Sequence, residues 1–186
     1  VAIADVAEIV EQDSSIDKEA LLRGTSIYFP KRVIPMLPEE ISNNLCSLIP
    51  SEDRNVLVCK INYSKEGEIN SYEFSEAVIN SHKRFTYNEV EFIKQNKDIN
   101  LSAEILRSLD ALEKLTKQLL YNRSKRYALE IESSEPTLSF GSEGNISEIL
   151  VPKRLFAHQM IEEAMISANI CAAKFIKKYF GFGVYR

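Results

Sequence analysis

Residues 55–63 read NVLVCKINY and residues 68–80 read EINSYEFSEAVIN, two strand-like runs separated by Ser64-Lys65-Glu66-Gly67. Two such runs joined by a short, polar, glycine-containing connection predict an antiparallel hairpin. A further hairpin is predicted for 128–140 and 145–150 around Gly141-Ser142-Glu143-Gly144. Between these units Ser102 can cap a long helix over 102–123, in which Ile105, Leu109, Leu112, Leu115 and Leu119 recur at three- and four-residue steps. It should end near Ser124, among Arg123, Lys125 and Arg126, cations that suit the negative end of a helix dipole. A last helix over 155–179 carries Ala157, Ile161, Ala164, Ala168, Ala172 and Phe175 on one stripe. Small residues dominate that stripe, so the backbone can pack close to a neighbour. The fold class is therefore α+β, a mixed, largely antiparallel sheet packed by two long helices.

Working outward, Val1 opens an apolar run, Val-Ala-Ile-Ala, that reads as a buried strand ending at Asp5. Four of the six prolines (Pro30, Pro35, Pro38, Pro50) fall between residues 30 and 50. Each fixes φ and removes a donor, so this stretch is expected to be extended and irregular, with one short helix starting near Pro38-Glu39-Glu40. Thr25, Ile27 and Phe29 alternate with Ser26 and Tyr28, a short strand in which Tyr28 faces opposite to Ile27. A short helix is predicted from Tyr87 to Gln95. Gly-Phe-Gly-Val-Tyr-Arg closes the sequence as if another strand were beginning. With no methionine at its start, the chain reads as a piece of a longer protein, cut at both ends.

The chain of 186 residues suits one ordinary domain, and at 45% hydrophobic it has the means to bury a core. No stretch approaches the ~18 consecutive apolar residues of a membrane helix, and no secretory leader opens the sequence. The expectation is a cytoplasmic protein with no membrane partner. Cys46, Cys59 and Cys171 are too scattered for a disulfide framework or a zinc knuckle, and read as small buried hydrophobes. The net charge of −4 resides in residues 1–50, where four Lys and Arg meet eight Asp and Glu. Non-specific coating of nucleic acid, which runs on basic residues, is disfavoured. A polyanion would need a local pocket.

The final helix holds the most specific polar arrangement. At 100° per residue His158, Glu162, Met165 and Asn169 fall on one side, beside the apolar stripe, while Glu163 points away. His158 and Glu162 can form an i,i+4 pair shielding the core rim. Alternatively, Glu162 faces a ligand groove and accepts a hydrogen bond from a hydroxyl. Tyr28, Phe29, Tyr63 and Tyr87 are candidates for stacking on bases, since an aromatic ring meets any nucleobase face. Basic pairs at Lys31-Arg32, Lys83-Arg84, Lys125-Arg126 and Lys153-Arg154 are either solvated faces or phosphate contacts. Asp13 and Asp17 lie in a polar turn where capping and solubility account for them. There is no carboxylate cluster with metal-ligand spacing, no P-loop, no GxGxxG and no GxSxG.

Three stretches, VAIADVAEIV with Ser15-Ile16-Asp17, RGTSIYFPKRVIPMLPEEISNNLCSL, and IEEAMISANICAAKFIKKYFGFGVY, resemble the catalytic RNB domain of the ribonuclease II / ribonuclease R family. The resemblance covers nearly the whole chain, so residues 1–186 read as a partial RNB domain truncated at both ends. It implies a 3′→5′ exoribonuclease that degrades single-stranded RNA processively, with magnesium, to nucleoside monophosphates. The family's metal-binding aspartates, D-x-x-x-x-x-D-x-D-D, would lie upstream of Val1, and its later arginine and glutamate beyond Arg186. No metal ligand or catalytic residue is therefore assigned within this piece, and no small-molecule cofactor beyond the metal is implied.

What the resemblance leaves in this chain is part of an RNA-holding wall. Tyr28, in RGTSIYFP, resembles the tyrosine placed beside the 3′-terminal nucleotides. Tyr87, after Arg84-Phe85-Thr86, resembles a second tyrosine packed along the strand. Glu162, in IEEAM, resembles the glutamate that approaches the terminal ribose. Ribonuclease II members clamp the terminal bases with a phenylalanine where this register puts Ile131. The alternatives are a non-catalytic RNA-binding or scaffold protein of the same fold, and an unrelated acidic interaction domain.

Overall fold

A computed structural model describes residues 1–95, 101–126, 136–141 and 145–184. In chain order these form strand β1 (Ala2–Ala4), helix α1 (Ser15–Arg23), strands β2 (Ile27–Phe29) and β3 (Arg32–Ile34), and a short π-helix over Glu40–Leu45. Then follow β4 (Asp53–Tyr63), β5 (Ile69–Asn80), α2 (Tyr87–Gln95), α3 (Ala103–Lys125), β6 (Thr137–Phe140), β7 (Ile146–Leu150) and α4 (Phe156–Phe180). Among the described residues the named strands all pair antiparallel, as a three-stranded sheet in the order β1-β4-β5 and the separate hairpins β2-β3 and β6-β7, with one isolated parallel bridge between Pro50 and Ser81. The expected α+β class holds. Among the described residues no helix is long and apolar enough to cross a membrane.

The β4–β5 turn forms because two residues suit it. Gly67 sits at φ +77°, a left-handed conformation that costs a side-chain-bearing residue and not glycine. Ser64 Oγ accepts the backbone N–H groups of Glu66 (3.1 Å) and Glu68 (3.3 Å). The register then sets Cys59 opposite Phe74 and Ile61 opposite Tyr72, so all four share one face. That face receives α4: Cys59, Ala168 and Cys171 are buried together, ringed by Ile61, Ile69, Tyr72 and Phe74. Phe175 of α4 meets Phe74 edge-on, with ring centroids 5.3 Å apart. The small side chains of α4 permit this close approach, as expected.

Helix α3 begins where Ser102 accepts the Ile105 N–H, the cap foreseen from the sequence. It packs along α4 and is pinned to the hairpin turn, where Gln118 (3.0 Å) and Asn122 (2.6 Å) both donate to the Glu66 carbonyl. A Cβ on Gly67 would stand 2.7 Å from Gln118 Cγ, so close docking of turn and helix requires glycine here.

Several local expectations change. Residues 15–23 are helical rather than a polar turn: Ser14 caps Asp17 N–H, and Asp17 accepts the Asp13 N–H in return. This reciprocal cap pattern was present in the sequence. Strand β1 pairs through one edge only and leaves Ile3 50% exposed, so it is not buried. Cys59 and Cys171 are buried, whereas Cys46 is half-buried. The chain after α4 forms no strand over 182–184, Gly181 having ended the helix in a left-handed conformation. Ile131, most of the 128–140 run and the turn residues 142–144 lie outside the described residues.

The buried stripe of α4 is also rotated. Ala157, Met160, Glu163, Ser167, Ala168 and Cys171 are buried, while Ile161 is 48% exposed. Glu163, expected to point away, is 5% exposed. A carboxylate can be buried there because α3 brings a cation to it, which periodicity along α4 alone does not reveal.

Candidate nucleic-acid interface

Helix α2 starts with a reciprocal cap. Glu89 N–H donates to Thr86 Oγ1 at 3.2 Å, while the Glu89 carboxylate accepts from the Thr86 N–H (2.6 Å) and hydroxyl (2.8 Å). These bonds hold the Glu89 carboxyl below its ordinary range. They also place Tyr87 on the first turn of α2, against the start of α4. There its ring stacks on His158, centroids 3.9 Å apart and planes 21° apart. His158 Nδ1 accepts the Leu155 N–H at 3.1 Å, so the ring is locked at the α4 N-terminus and braces one face of Tyr87. Lys94 fastens the same corner, lying 4.0 Å over the Phe156 ring and 3.5 Å from Glu113 of α3.

Glu162 lies one helical turn beyond His158 but does not pair with it. Its Oε1 accepts from Arg123 Nη1 at 3.0 Å, and its Oε2 accepts from Arg154. The same Arg123 nitrogen donates to Glu163 Oε1 at 2.9 Å. Partial burial pushes the Glu162 carboxyl up, but the bonds from Arg123 and Arg154 outweigh it and hold the group below its ordinary value. Arg123 is correspondingly raised by its bonds to Glu162 and Glu163. The expected His158–Glu162 pair is thus replaced by two contacts, ring to ring and carboxylate to guanidinium. Sequence reasoning read Arg123 only as a dipole-compensating cation, because its partners lie 39 and 40 residues away.

Of the three expected RNA-facing residues, Tyr87 and Glu162 are related through His158, which stacks on Tyr87 and precedes Glu162 by one turn of α4. Tyr28 does not join them directly. It sits on the β2–β3 hairpin, 77% exposed, and among the described residues no hydrogen bond, ion pair or ring contact links it to the other two. The hairpin is closed at its base by Arg23 donating to the Pro35 carbonyl and by Met36 N–H donating to Ser26 Oγ. At its tip Lys31 lies 4.3 Å over the Phe140 ring of β6. Tyr63, another stacking candidate, is instead turned inward: burial raises its phenol, which hydrogen-bonds Ser167.

Each basic pair has one member engaged. Lys31 covers Phe140, Lys83 covers Phe85, Lys125 covers Tyr121, and Arg154 holds Glu162. Among the described residues no group of three or more His, Cys, Asp or Glu side chains could hold a metal ion. The described residues therefore do not fit a magnesium site, and what the corner presents is a stacked ring pair and charge-assisted hydrogen bonds.

Comparison with known proteins defines the class. The RNB domain model matches residues 1–186, and the chain belongs to the RNB-domain family. Ribonuclease R of Escherichia coli (strain K12) is 45% identical over 180 residues, covering 96% of this chain and 22% of that protein. Exoribonuclease 2 of Aeromonas hydrophila is 34% identical over 187 residues, covering 100% of this chain and 28% of its own length. Among solved structures, Mycoplasma genitalium RNase R in complex with double-stranded RNA superposes with a TM-score of 0.90 at 35% identity, over 95% of this chain and 32% of that one. The same protein in complex with ribose-methylated single-stranded RNA gives 0.89 at 34% identity, over 95% and 28%. The chain thus spans about a quarter of the length of the relatives it matches.

Proposed function

We propose that this chain is the strand-gripping part of a cytoplasmic 3′→5′ exoribonuclease that hydrolyses single-stranded RNA to nucleoside monophosphates, with magnesium held by segments outside these 186 residues. The observation that carries this reading is the α2–α4 corner. His158, which braces one face of the Tyr87 ring, stands one helical turn along α4 before Glu162, a carboxylate held by two arginines. The free face of Tyr87 stacks a base, and Glu162 accepts a hydrogen bond from a ribose hydroxyl, a contact that tells RNA from DNA. Tyr28, exposed on its hairpin, offers a second ring for the strand. The coverage of about a quarter of each relative supports the view that metal chemistry resides elsewhere in a longer protein. By itself the chain binds RNA without cutting it.

The test is fluorescence anisotropy with a labelled single-stranded RNA and its 2′-deoxy counterpart. Tyr87→Ala should weaken both strands by roughly 5- to 150-fold, the equivalent of about 1–3 kcal/mol for one stacked base. Tyr28→Ala should act in the same direction. Glu162→Gln should erase the preference for RNA while sparing affinity for the deoxy strand. Unchanged binding in all three variants, or magnesium-dependent hydrolysis by the 186-residue chain, would overturn the proposal.

A further inference from the structure

Glu162 and Glu163 are neighbours on α4, so their side chains leave the helix about 100° apart. Both nevertheless converge on one nitrogen, Arg123 Nη1, at 3.0 and 2.9 Å. The guanidinium must therefore lie at the seam between them. Glu163 is on the core side, its side chain only 6% exposed, and Glu162 on the outer side, at 34%. A buried carboxylate is costly unless paired, so Glu163 keeps Arg123 in place. Arg123, so anchored, determines where Glu162 Oε1 can lie. Arg154, on the segment entering α4, holds Oε2. The four charges cancel, leaving Glu162 ionised without excess charge at the surface.

We propose that Arg123, anchored by the buried Glu163, is a positioning residue that aims the Glu162 carboxylate and thereby sets the discrimination between ribose and deoxyribose. The inference rests on the hydroxyl-accepting reading of Glu162 and extends it to two residues that need not touch RNA. Glu163 supplies the fixed point in the core, Arg123 carries it outward, and Glu162 presents the acceptor. Arg154 closes the other oxygen and restricts rotation of the carboxylate. Among the described residues, other polar groups near this cluster include Lys125, Arg126 and Lys174, which line one cavity with Glu163; Tyr63 on β4; and His158, which is occupied by Leu155 and Tyr87.

The measurement is the ratio of affinities for a single-stranded RNA and the same strand built with 2′-deoxyribose, determined for wild type, Arg123→Gln, Arg123→Lys, Glu163→Gln and Glu162→Gln. Each variant is accompanied by a thermal unfolding curve. Glu162→Gln should bring the ratio close to one. Arg123→Gln should lower it at least threefold, roughly part of the tenfold or more that a hydrogen bond to a charged acceptor is worth. Its affinity for the deoxy strand should stay within about twofold, because stacking on Tyr87 is untouched. Arg123→Lys should recover part of the ratio, and Glu163→Gln, nearly isosteric, should lower it in the same direction. Should Arg123→Gln fail to fold, the Lys and Glu163→Gln variants carry the same test. A wild-type ratio in folded Arg123 and Glu163 variants, alongside collapse in Glu162→Gln, overturns the positioning role and leaves the Glu162 reading standing. Equal losses for both strands overturn it too, since they mark general damage or a phosphate contact. An unchanged ratio in Glu162→Gln instead removes the reading on which the inference rests.

Discussion

Gly67→Ala measures how far the close docking of α3 on the β4–β5 turn stabilises the fold. Two costs add at this position. An L-residue held at φ +77° loses about 1–2 kcal/mol relative to glycine. The new Cβ also falls 2.7 Å from Gln118 Cγ and 3.0 Å from Asn122 Nδ2, and these are the two side chains that donate to the Glu66 carbonyl. Moving them aside weakens two hydrogen bonds of roughly 0.5–1.5 kcal/mol each, with the lower end fitting an exposed carbonyl. The expected loss is about 2–4 kcal/mol. For a chain of this size that lowers Tm by roughly 5–15 °C. Gly24→Ala is the internal control: Gly24 ends α1 at φ +69°, and nothing lies within 4 Å of its added Cβ. It should lose only the conformational part, about 1–2 kcal/mol. Urea and thermal unfolding of both variants against wild type give the comparison. If Gly67→Ala is no more destabilising than Gly24→Ala, the packing argument for this turn is wrong.

Two further outcomes follow from the ionisable groups. Glu89 is held below the ordinary carboxylate value of 4.5 by the Thr86 cap, and Glu113 by Lys117 with Lys94. Glu162 is held below it too, with the arginine bonds outweighing its burial. A carboxylate depressed in the folded state contributes stability above its unfolded value and loses it as pH falls through the folded value. Stability should therefore be level from neutral pH down to about 5 and decline below about 4.5, with Glu113→Gln and Glu162→Gln flattening that decline; an equally steep acid limb in both variants would contradict the assignment. Burial raises the thiol of Cys171, and of Cys46 with help from Asp5. Native protein should accordingly label slowly at half-buried Cys46 and not at Cys59 or Cys171, all three reacting once unfolded; fast native labelling at Cys171, followed by peptide mass spectrometry, would refute its placement in the core.

Much of the architecture was legible because it depends on neighbours in the chain. The β4–β5 hairpin follows from two β-rich runs around a serine-to-glycine turn, α3 from its Ser102 cap and leucine spacing, and α2 from Tyr87 to Gln95 as found. Helix α1 was missed although its signal was local. The Ser14 and Asp17 cap was there to be read, but Leu21 and Leu22 give no clear apolar stripe behind it, and both stay exposed.

The site divided differently. Tyr87 and Glu162 could be nominated from sequence, Tyr87 through the family resemblance around Arg84-Phe85-Thr86 and Glu162 through that resemblance and its side of a helix. Their companions could not. His158 abandons Glu162 because Tyr87 and the Leu155 N–H offer it a ring and a donor. Glu163 turns inward because Arg123 arrives from α3 to neutralise it. Spacing along a chain reports which side chains share a face, since that is set by the pitch of the backbone. Which face is buried, and which charge meets which, depends on how α2, α3 and α4 settle against one another. Burial makes ionic partners compulsory, and only the packed molecule says who they are.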